Sequence, residues 1–284
     1  MTPSRRPLRA VLPSTAVTLT AAVAAATLSA PLAAADAGLG SLGRPSVPGA
    51  TSPTTPTDPT PGFRDGALSD LTVAGDLTCG VISPSDRRSV FASAEACATL
   101  VSVDGRTFGP TAVGLKEYEP LAQTVSGAGT ASDPRVIRTV VGVGAADTGL
   151  TLTQVDRFVD GAAGYLTDIT VDNASGEDRD VKVYRAVDCF SDGTDGTGAI
   201  YGRSVACHDA AGRRIAFTDD TGGALRQEGF YNDIWAAPIT GIDFADTASG
   251  DLLDNGMGIN WSVSVPAGGS VALRSRFQLD EPID

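Results

Sequence analysis

The stretch 164-GYLTDITVDNASGEDRDVKVYRAVDCF-190 decides the fold class, because it contains two β-strand patterns around one turn. In each half, apolar or β-branched residues occupy alternate positions, which places them on one face of a strand. The members of these two faces are Tyr165, Thr167, Ile169 and Val171, and then Val181, Val183 and Val187. Residues 172–178 between them are rich in the turn formers Asp, Asn, Ser and Gly. The stretch therefore predicts an antiparallel pair of strands with one face in a core.

The same alternation recurs towards the end of the chain. In INWSVSV, residues 259–265, Trp261 shares a face with two valines and is predicted to be buried. In SVALRSRFQL, residues 270–279, Arg274 and Arg276 face away from the apolar set. We predict that residues 63–284 form an all-β, antiparallel β-sandwich, either as one body or as two packed halves.

The region before this domain has a different composition. Residues 1–36 begin with arginines, continue as an Ala, Val, Leu and Thr run, and end in small residues, which is typical of a secretory signal peptide. Residues 37–62 are rich in Pro, Thr, Ser and Gly and predict a disordered linker. We expect a secreted, extracellular protein that is either released or held at the cell wall by non-covalent contacts.

Charge and hydropathy restrict the partners. The sequence has 21 basic and 34 acidic residues, a formal net charge of −13. This negative field repels nucleic acid, which we do not expect as a partner. After the signal peptide, no run reaches the roughly 18 apolar residues of a membrane-spanning helix, so no membrane insertion is expected after cleavage.

The four cysteines of an exported chain indicate disulfides. Three pairings are possible. Cys79 and Cys97 are separated by the same interval as Cys189 and Cys207, which favours these two local bridges. A zinc site is the weaker alternative, because no cysteine pair has the short spacing of such sites.

The order of these segments resembles an uncharacterised family of secreted actinobacterial β domains. The resemblance rests on residues 150–189, on GFYNDIW (229–235) and DNGMGINWSVSVPAGGSV (254–271), and on the earlier segment 79–105. The central strand pair is also distantly similar to galactose-mutarotase-like supersandwiches and to Ig-like modules of bacterial surface proteins. This resemblance implies a β-sandwich of the supersandwich or Ig-like type.

No catalytic set is recognisable. His208 is the only histidine, and it adjoins a cysteine predicted to be oxidised, so Ser–His or Cys–His catalysis is not expected. A pair of carboxylates that cleaves glycosides needs no histidine. Asp156, Asp168 and Asp233 lie in strand or aromatic contexts where partial burial could raise their pKa. Nothing in the sequence shows that two of them face each other.

Two further segments are candidate binding sites. Asp188, Asp192 and Asp195 lie among glycines and could supply oxygen ligands to calcium, although a disulfide-stapled loop between two strands is the favoured interpretation. In GFYNDIW, Tyr231 and Trp235 could stack on a sugar ring while Asn232 or Asp233 accepts its hydroxyls. The alternative is that the two aromatic residues fill the core.

These observations predict a secreted, non-catalytic β module that binds a glycan or a cell-surface partner, without a cofactor. The alternatives are a carbohydrate-active enzyme that uses paired carboxylates, and a purely structural surface or adhesion protein.

Overall fold

The computed structural model describes residues 63–65, 68, 70–83, 87–93, 96–111, 114–190 and 195–282. These residues belong to one compact unit. The predicted signal peptide and linker, residues 1–36 and 37–62, lie outside the described residues, and so does Asp192.

Two large antiparallel sheets confirm the all-β prediction. The nine-stranded sheet has the order β11-β12-β13-β17-β9-β8-β7-β6, with β1 paired to β17. Its strands are β1 (Phe63–Asp65), β6 (Glu119–Ser126), β7 (Arg135–Gly142), β8 (Leu150–Phe158), β9 (Gly164–Asn173), β11 (Gly196–Tyr201), β12 (Ser204–Asp209), β13 (Arg214–Asp219) and β17 (Ser270–Pro282).

The second sheet has six strands in the order β15-β14-β16-β10-β4-β5. These are β4 (Cys97–Val103), β5 (Arg106–Phe108), β10 (Arg179–Asp188), β14 (Leu225–Phe230), β15 (Thr247–Ala248) and β16 (Asn255–Val265). A separate hairpin consists of β2 (Asp70–Val73) and β3 (Cys79–Ile82), and one helical turn, α1 (Ala145–Thr148), precedes β8. Only the short β14–β15 pair among the described strands is parallel.

The core lies between the two large sheets. The inward faces of β9 and β10 are the alternating residues that the sequence predicts, and they form one apolar cluster with Phe277 and Trp261. Trp261 is 2% exposed, as predicted, and its indole N–H donates to Oδ1 of Asp219 at 3.1 Å. Burying a Trp requires such a partner for its polar atom.

Residues 231–240 form a helix, which the all-β prediction for residues 63–284 did not include. Helix α2 (Tyr231–Thr240) lies on the outer face of the six-stranded sheet. Tyr231, Ile234, Trp235 and Pro238 recur with the i, i+3, i+4, i+7 spacing of one helix face. Ile234 and Trp235 pack there on Tyr184 and other residues of the sheet. The helix ends at Gly241, whose φ of 70° is the left-handed conformation typical of a helix C-terminus.

Both predicted disulfides are present. Cys79–Cys97 joins β3 to β4, and Cys189–Cys207 joins the residue after β10 to β12. The second bridge therefore links the six-stranded sheet to the nine-stranded sheet. Among the described residues, no helix is long and apolar enough to cross a membrane.

Candidate functional site

Two segments that are distant in the sequence meet at the start of helix α2. Asp188, the last residue of β10, pairs with Gly256 of β16. Gly256 lies directly beneath the helix, because a Cβ atom built on it would be 3.1 Å from Cα of Tyr231. The Tyr231 N–H donates to the Asp254 carbonyl at 3.0 Å. We call Asp188, Phe230, Tyr231 and Asp254 the α2 cluster.

Strand pairing and the disulfide fix the position of Asp188. Its backbone N–H donates to the Ala96 carbonyl at 2.8 Å, which anchors the end of β10 to the segment before β4. The next residue, Cys189, is bridged to Cys207 and donates its N–H to the Asn255 carbonyl at 2.9 Å. Asp188 is therefore held by contacts on both sides of its own backbone.

The Asp188 carboxyl group is in an unfavourable environment for a negative charge. Burial, and then the negative charge of Asp254, raise the pKa of Asp188 to about 7. Its Oδ1 atom is buried and has no hydrogen-bond partner among the described residues. A buried carboxyl oxygen without a donor is costly, and a ligand hydroxyl would relieve that cost.

Two aromatic residues lie at the start of helix α2, whose first backbone N–H binds the Asp254 carbonyl. The rings of Phe230 and Tyr231 have centroids 4.9 Å apart at an interplanar angle of 64°. Phe230 is 40% exposed and Tyr231 is half-buried. Leu252, two residues before Asp254, is 67% exposed. Carboxyl acceptors near an exposed and a half-buried aromatic ring are suited to a ligand that has both hydroxyl groups and apolar C–H faces.

The four residues predicted to bind a ligand have different environments. Asn232 and Asp233 are exposed on the first turn of helix α2, beside the α2 cluster. Trp235 is 8% exposed and packs between the helix and the sheet, so its ring is not available for stacking. A ligand role for Tyr231, Asn232 and Asp233 remains a prediction.

The candidate calcium ligands Asp188 and Asp195 are not part of an assembled metal site in the described part of the chain. Asp195 is exposed, and no group of three or more His, Cys, Asp or Glu side chains among the described residues could hold a metal ion. Calcium binding stays an untested alternative, because Asp192 is not among the described residues.

The three other carboxylates considered from the sequence lie in different parts of the fold. Asp156 is buried between the sheets, and burial raises its pKa. It accepts hydrogen bonds from Thr167 at 2.6 Å and Gln154 at 2.8 Å. Asp168 lies on the outer face of the nine-stranded sheet in ion pairs with two arginines, and Asp233 is exposed on α2. They do not form a working pair.

The sequence interpretation missed Asp254 and Phe230. Asp254 has no distinguishing pattern, because its segment, DNGMG, is typical of a turn. Its relation to Asp188 depends on the β10–β16 register, which a single sequence does not specify. Phe230 lies inside the segment GFYNDIW, and its position next to Tyr231 was the sequence signal that could have added it to the candidate binding residues.

No protein family model and no curated protein sequence matches this chain. Several solved structures show distant similarity to this chain, including the following three. Heparan sulfate lyase HepC from Pedobacter heparinus has 7% identity and a TM-score of 0.44, with 73% of this chain and 30% of that chain covered. GH36 α-galactosidase AgaB from Geobacillus stearothermophilus has 11% identity and a TM-score of 0.44, with coverages of 78% and 40%.

The third is a galactose mutarotase related enzyme from Lactobacillus acidophilus, with 7% identity and a TM-score of 0.40. The similarity covers 78% of this chain and 98% of that one. The chain spans less than half the length of the lyase and of the galactosidase.

Proposed function

We propose that the protein is a secreted, extracellular β module that binds a glycan at the α2 cluster. The observation that carries this proposal is the buried Oδ1 of Asp188, which has no hydrogen-bond partner among the described residues, near the exposed Phe230 and the half-buried Tyr231. Secretion is proposed from the signal-like residues 1–36, and two disulfides are typical of proteins in oxidising compartments. A glycan fits better than a flat protein surface, because the acceptor is recessed and only a small group reaches it.

The first experiment is a binding screen of the purified protein against neutral and acidic glycans, with calorimetric titration of any that bind. Tyr231→Ala should weaken binding by about ten-fold or more, because a stacked aromatic residue is a typical binding hot spot. Tyr201→Ala is the matched control, since Tyr201 is also half-buried and lies at the far end of β11. Equal affinities of both variants and the unchanged protein would contradict the proposed site. Binding of a surface protein but no glycan would contradict the ligand class.

A carbohydrate-active enzyme is the second candidate, and the acidic pair favours it. A carboxyl group with a pKa of about 7 beside a second carboxylate has the properties of a general acid. Turnover in a panel of glycosides and cell-wall polymers, lost in Asp188→Asn and retained in Asp195→Asn, would replace the non-catalytic proposal. Binding of a glycan without turnover would support the non-catalytic proposal.

A further inference from the structure

Four arginines lie on the open outer face of the nine-stranded sheet. Arg138 is in β7, Arg157 in β8, and Arg274 and Arg276 in β17. Cross-strand pairs place Arg138 opposite Val155, Val155 opposite Asp168, and Asp168 opposite Arg274. Directly opposed residues in adjacent strands share one face of a sheet. We call these four arginines the arginine face.

Three of the four arginines are accessible to solvent, whereas the side chain of Arg276 is only 16% exposed. The side chain of Arg138 is exposed and makes no hydrogen bond or ion pair to another described residue. The side chains of Arg157 and Arg274 are 42% and 54% exposed, and each forms an ion pair with Asp168. No described helix covers this face, because α2 lies on the other large sheet.

The local charge on this face is opposite to that of the whole protein. The four guanidinium groups are opposed locally by Asp168 and by Asp220, which accepts two hydrogen bonds from Arg276 at 2.9 and 3.1 Å. The other carboxylate on this side of β9, Asp172, lies further along the strand, opposite Ser270. Glu119, opposite Gly142 in β7, also lies on this face, four residues along the strand from Arg138. Around the arginines themselves, four guanidinium groups meet the two carboxylates of Asp168 and Asp220, and such a locally positive region in a chain of net charge −13 favours anions.

We propose that the arginine face binds an extended acidic polysaccharide through its carboxylate groups. The guanidinium fork matches carboxylate geometry, and Arg274 and Arg276 already donate to the carboxylates of Asp168 and Asp220 within the sheet. Arg138 and Arg274 are three strands apart, or about 14 Å at the usual strand spacing, which suits a linear polymer rather than a single sugar. The hydroxyl groups of Thr124, Thr153 and Thr170 lie on the same face and can bond to sugar hydroxyls.

This inference does not rest on the glycan site at the α2 cluster. The arginine face belongs to the other large sheet and shares no residue with the α2 cluster. It would bind its ligand through charge, whereas the α2 cluster would bind through aromatic stacking. Failure of either proposal leaves the other intact.

The test measures binding of the full chain to polygalacturonate, with dextran as the neutral polymer. Polygalacturonate should bind and dextran should not, and affinity should fall as salt is raised from about 0.05 to about 0.5 M. Arg138→Glu should weaken binding by about ten-fold, because a charge reversal exchanges attraction for repulsion at an exposed site. The double change Arg138→Glu/Arg274→Glu should weaken it further.

Arg87→Glu is the control with the same charge change. Arg87 is 69% exposed and lies before β4, away from this sheet face. An equal loss in Arg87→Glu would show that net charge alone is responsible and would overturn the proposal. Binding of poly-L-glutamate or polyphosphate as tightly as polygalacturonate would also overturn it, because the sugar hydroxyls would then contribute nothing. Circular dichroism of each variant confirms that a loss reflects binding and not unfolding.

Discussion

At the scale of single residues, Asp188 has a carboxyl group whose proton affinity differs between the folded and the unfolded chain. Its pKa is about 7 in the folded protein, against 3.8 for an ordinary aspartate. Between these two values, the folded state retains a proton that the unfolded chain has released. The free energy of unfolding contributed by Asp188 is therefore highest below the unfolded pKa and falls as the pH rises through about 7.

We expect the Asp188→Asn variant to gain stability relative to the unchanged protein at about pH 8 and to gain little at about pH 4. Asparagine does not titrate, so the difference in stability between the variant and the unchanged protein at each pH reports the titration of Asp188 and not that of other groups. His208 acts in the opposite direction, because burial lowers its pKa. Melting temperatures at several pH values provide the measurement. Asp195→Asn, the same substitution at an exposed position, is the matched control.

Trp235 gives a second prediction at this scale. Because its ring is buried between α2 and the six-stranded sheet, Trp235→Ala should lower the free energy of unfolding by about 3–5 kcal/mol. Asn232→Ala, at an exposed position of the same helix, should change stability by less than about 0.5 kcal/mol. Denaturation by urea measures both variants. A Trp235→Ala protein of unchanged stability would mean that the ring is exposed in solution.

At the scale of elements, helix α2 depends on a strand that leaves space for it. A Cβ atom on Gly256 would lie 2.7 Å from the Val187 carbonyl oxygen and 3.3 Å from Cγ1 of Ile234. The Val187 oxygen belongs to the backbone of β10, and Cα of Tyr231, at 3.1 Å, belongs to the backbone of the helix. Backbone atoms cannot move aside as a flexible side chain can, so β10 or the helix would have to shift. Gly256 thus has a structural purpose that the turn-like composition of DNGMG conceals.

We therefore expect Gly256→Ala to destabilise the protein by about 1–3 kcal/mol and to loosen helix α2. Hydrogen exchange of residues 231–240 should become faster than in the unchanged protein. Gly229→Ala is a close control, because Gly229 is the register partner of Gly256 in β14 and a Cβ atom there meets nothing within 4 Å. Similar exchange rates in the two variants would contradict the packing described for the helix.

The elements differ in how far the sequence predicts them. Strands β9, β10, β16 and β17 follow from the alternation of their core-facing residues. In parts of β10 and β16 the other face is buried as well, because helix α2 packs on that side of the sheet. Helix α2 was not predicted, since ten residues with a proline at the eighth position form a weak helical pattern and are stabilised mainly by the sheet beneath. The α2 cluster could not be predicted, because Asp188 and Asp254 become neighbours only through strand register.

At the scale of the whole molecule, the two large sheets present different outer surfaces. Helix α2 covers part of the six-stranded sheet and brings aromatic and acidic groups to its edge. The nine-stranded sheet leaves its outer face open, with ion-paired arginines across neighbouring strands. The apolar core between the sheets holds these two surfaces on opposite sides of the sandwich. Each surface can therefore be altered without contact with the other.

The two disulfides should stabilise the protein to a similar extent, because their loops are of equal length, but they should differ in their effect on Asp188. Each encloses an 18-residue interval, and closing such a loop stabilises a protein by about 3 kcal/mol in the chain-entropy model. Only Cys189–Cys207 links the two large sheets, and it adjoins Asp188. We expect both double variants, Cys79→Ala/Cys97→Ala and Cys189→Ala/Cys207→Ala, to lose similar stability in urea. Only the Cys189→Ala/Cys207→Ala variant should return the pKa of Asp188 towards that of an ordinary aspartate, because the end of β10 would no longer be held against β12. NMR titration of Asp188 measures this change. An Asp188 pKa that stays near 7 in the second variant, or that falls equally in both, would show that strand pairing alone maintains the α2 cluster.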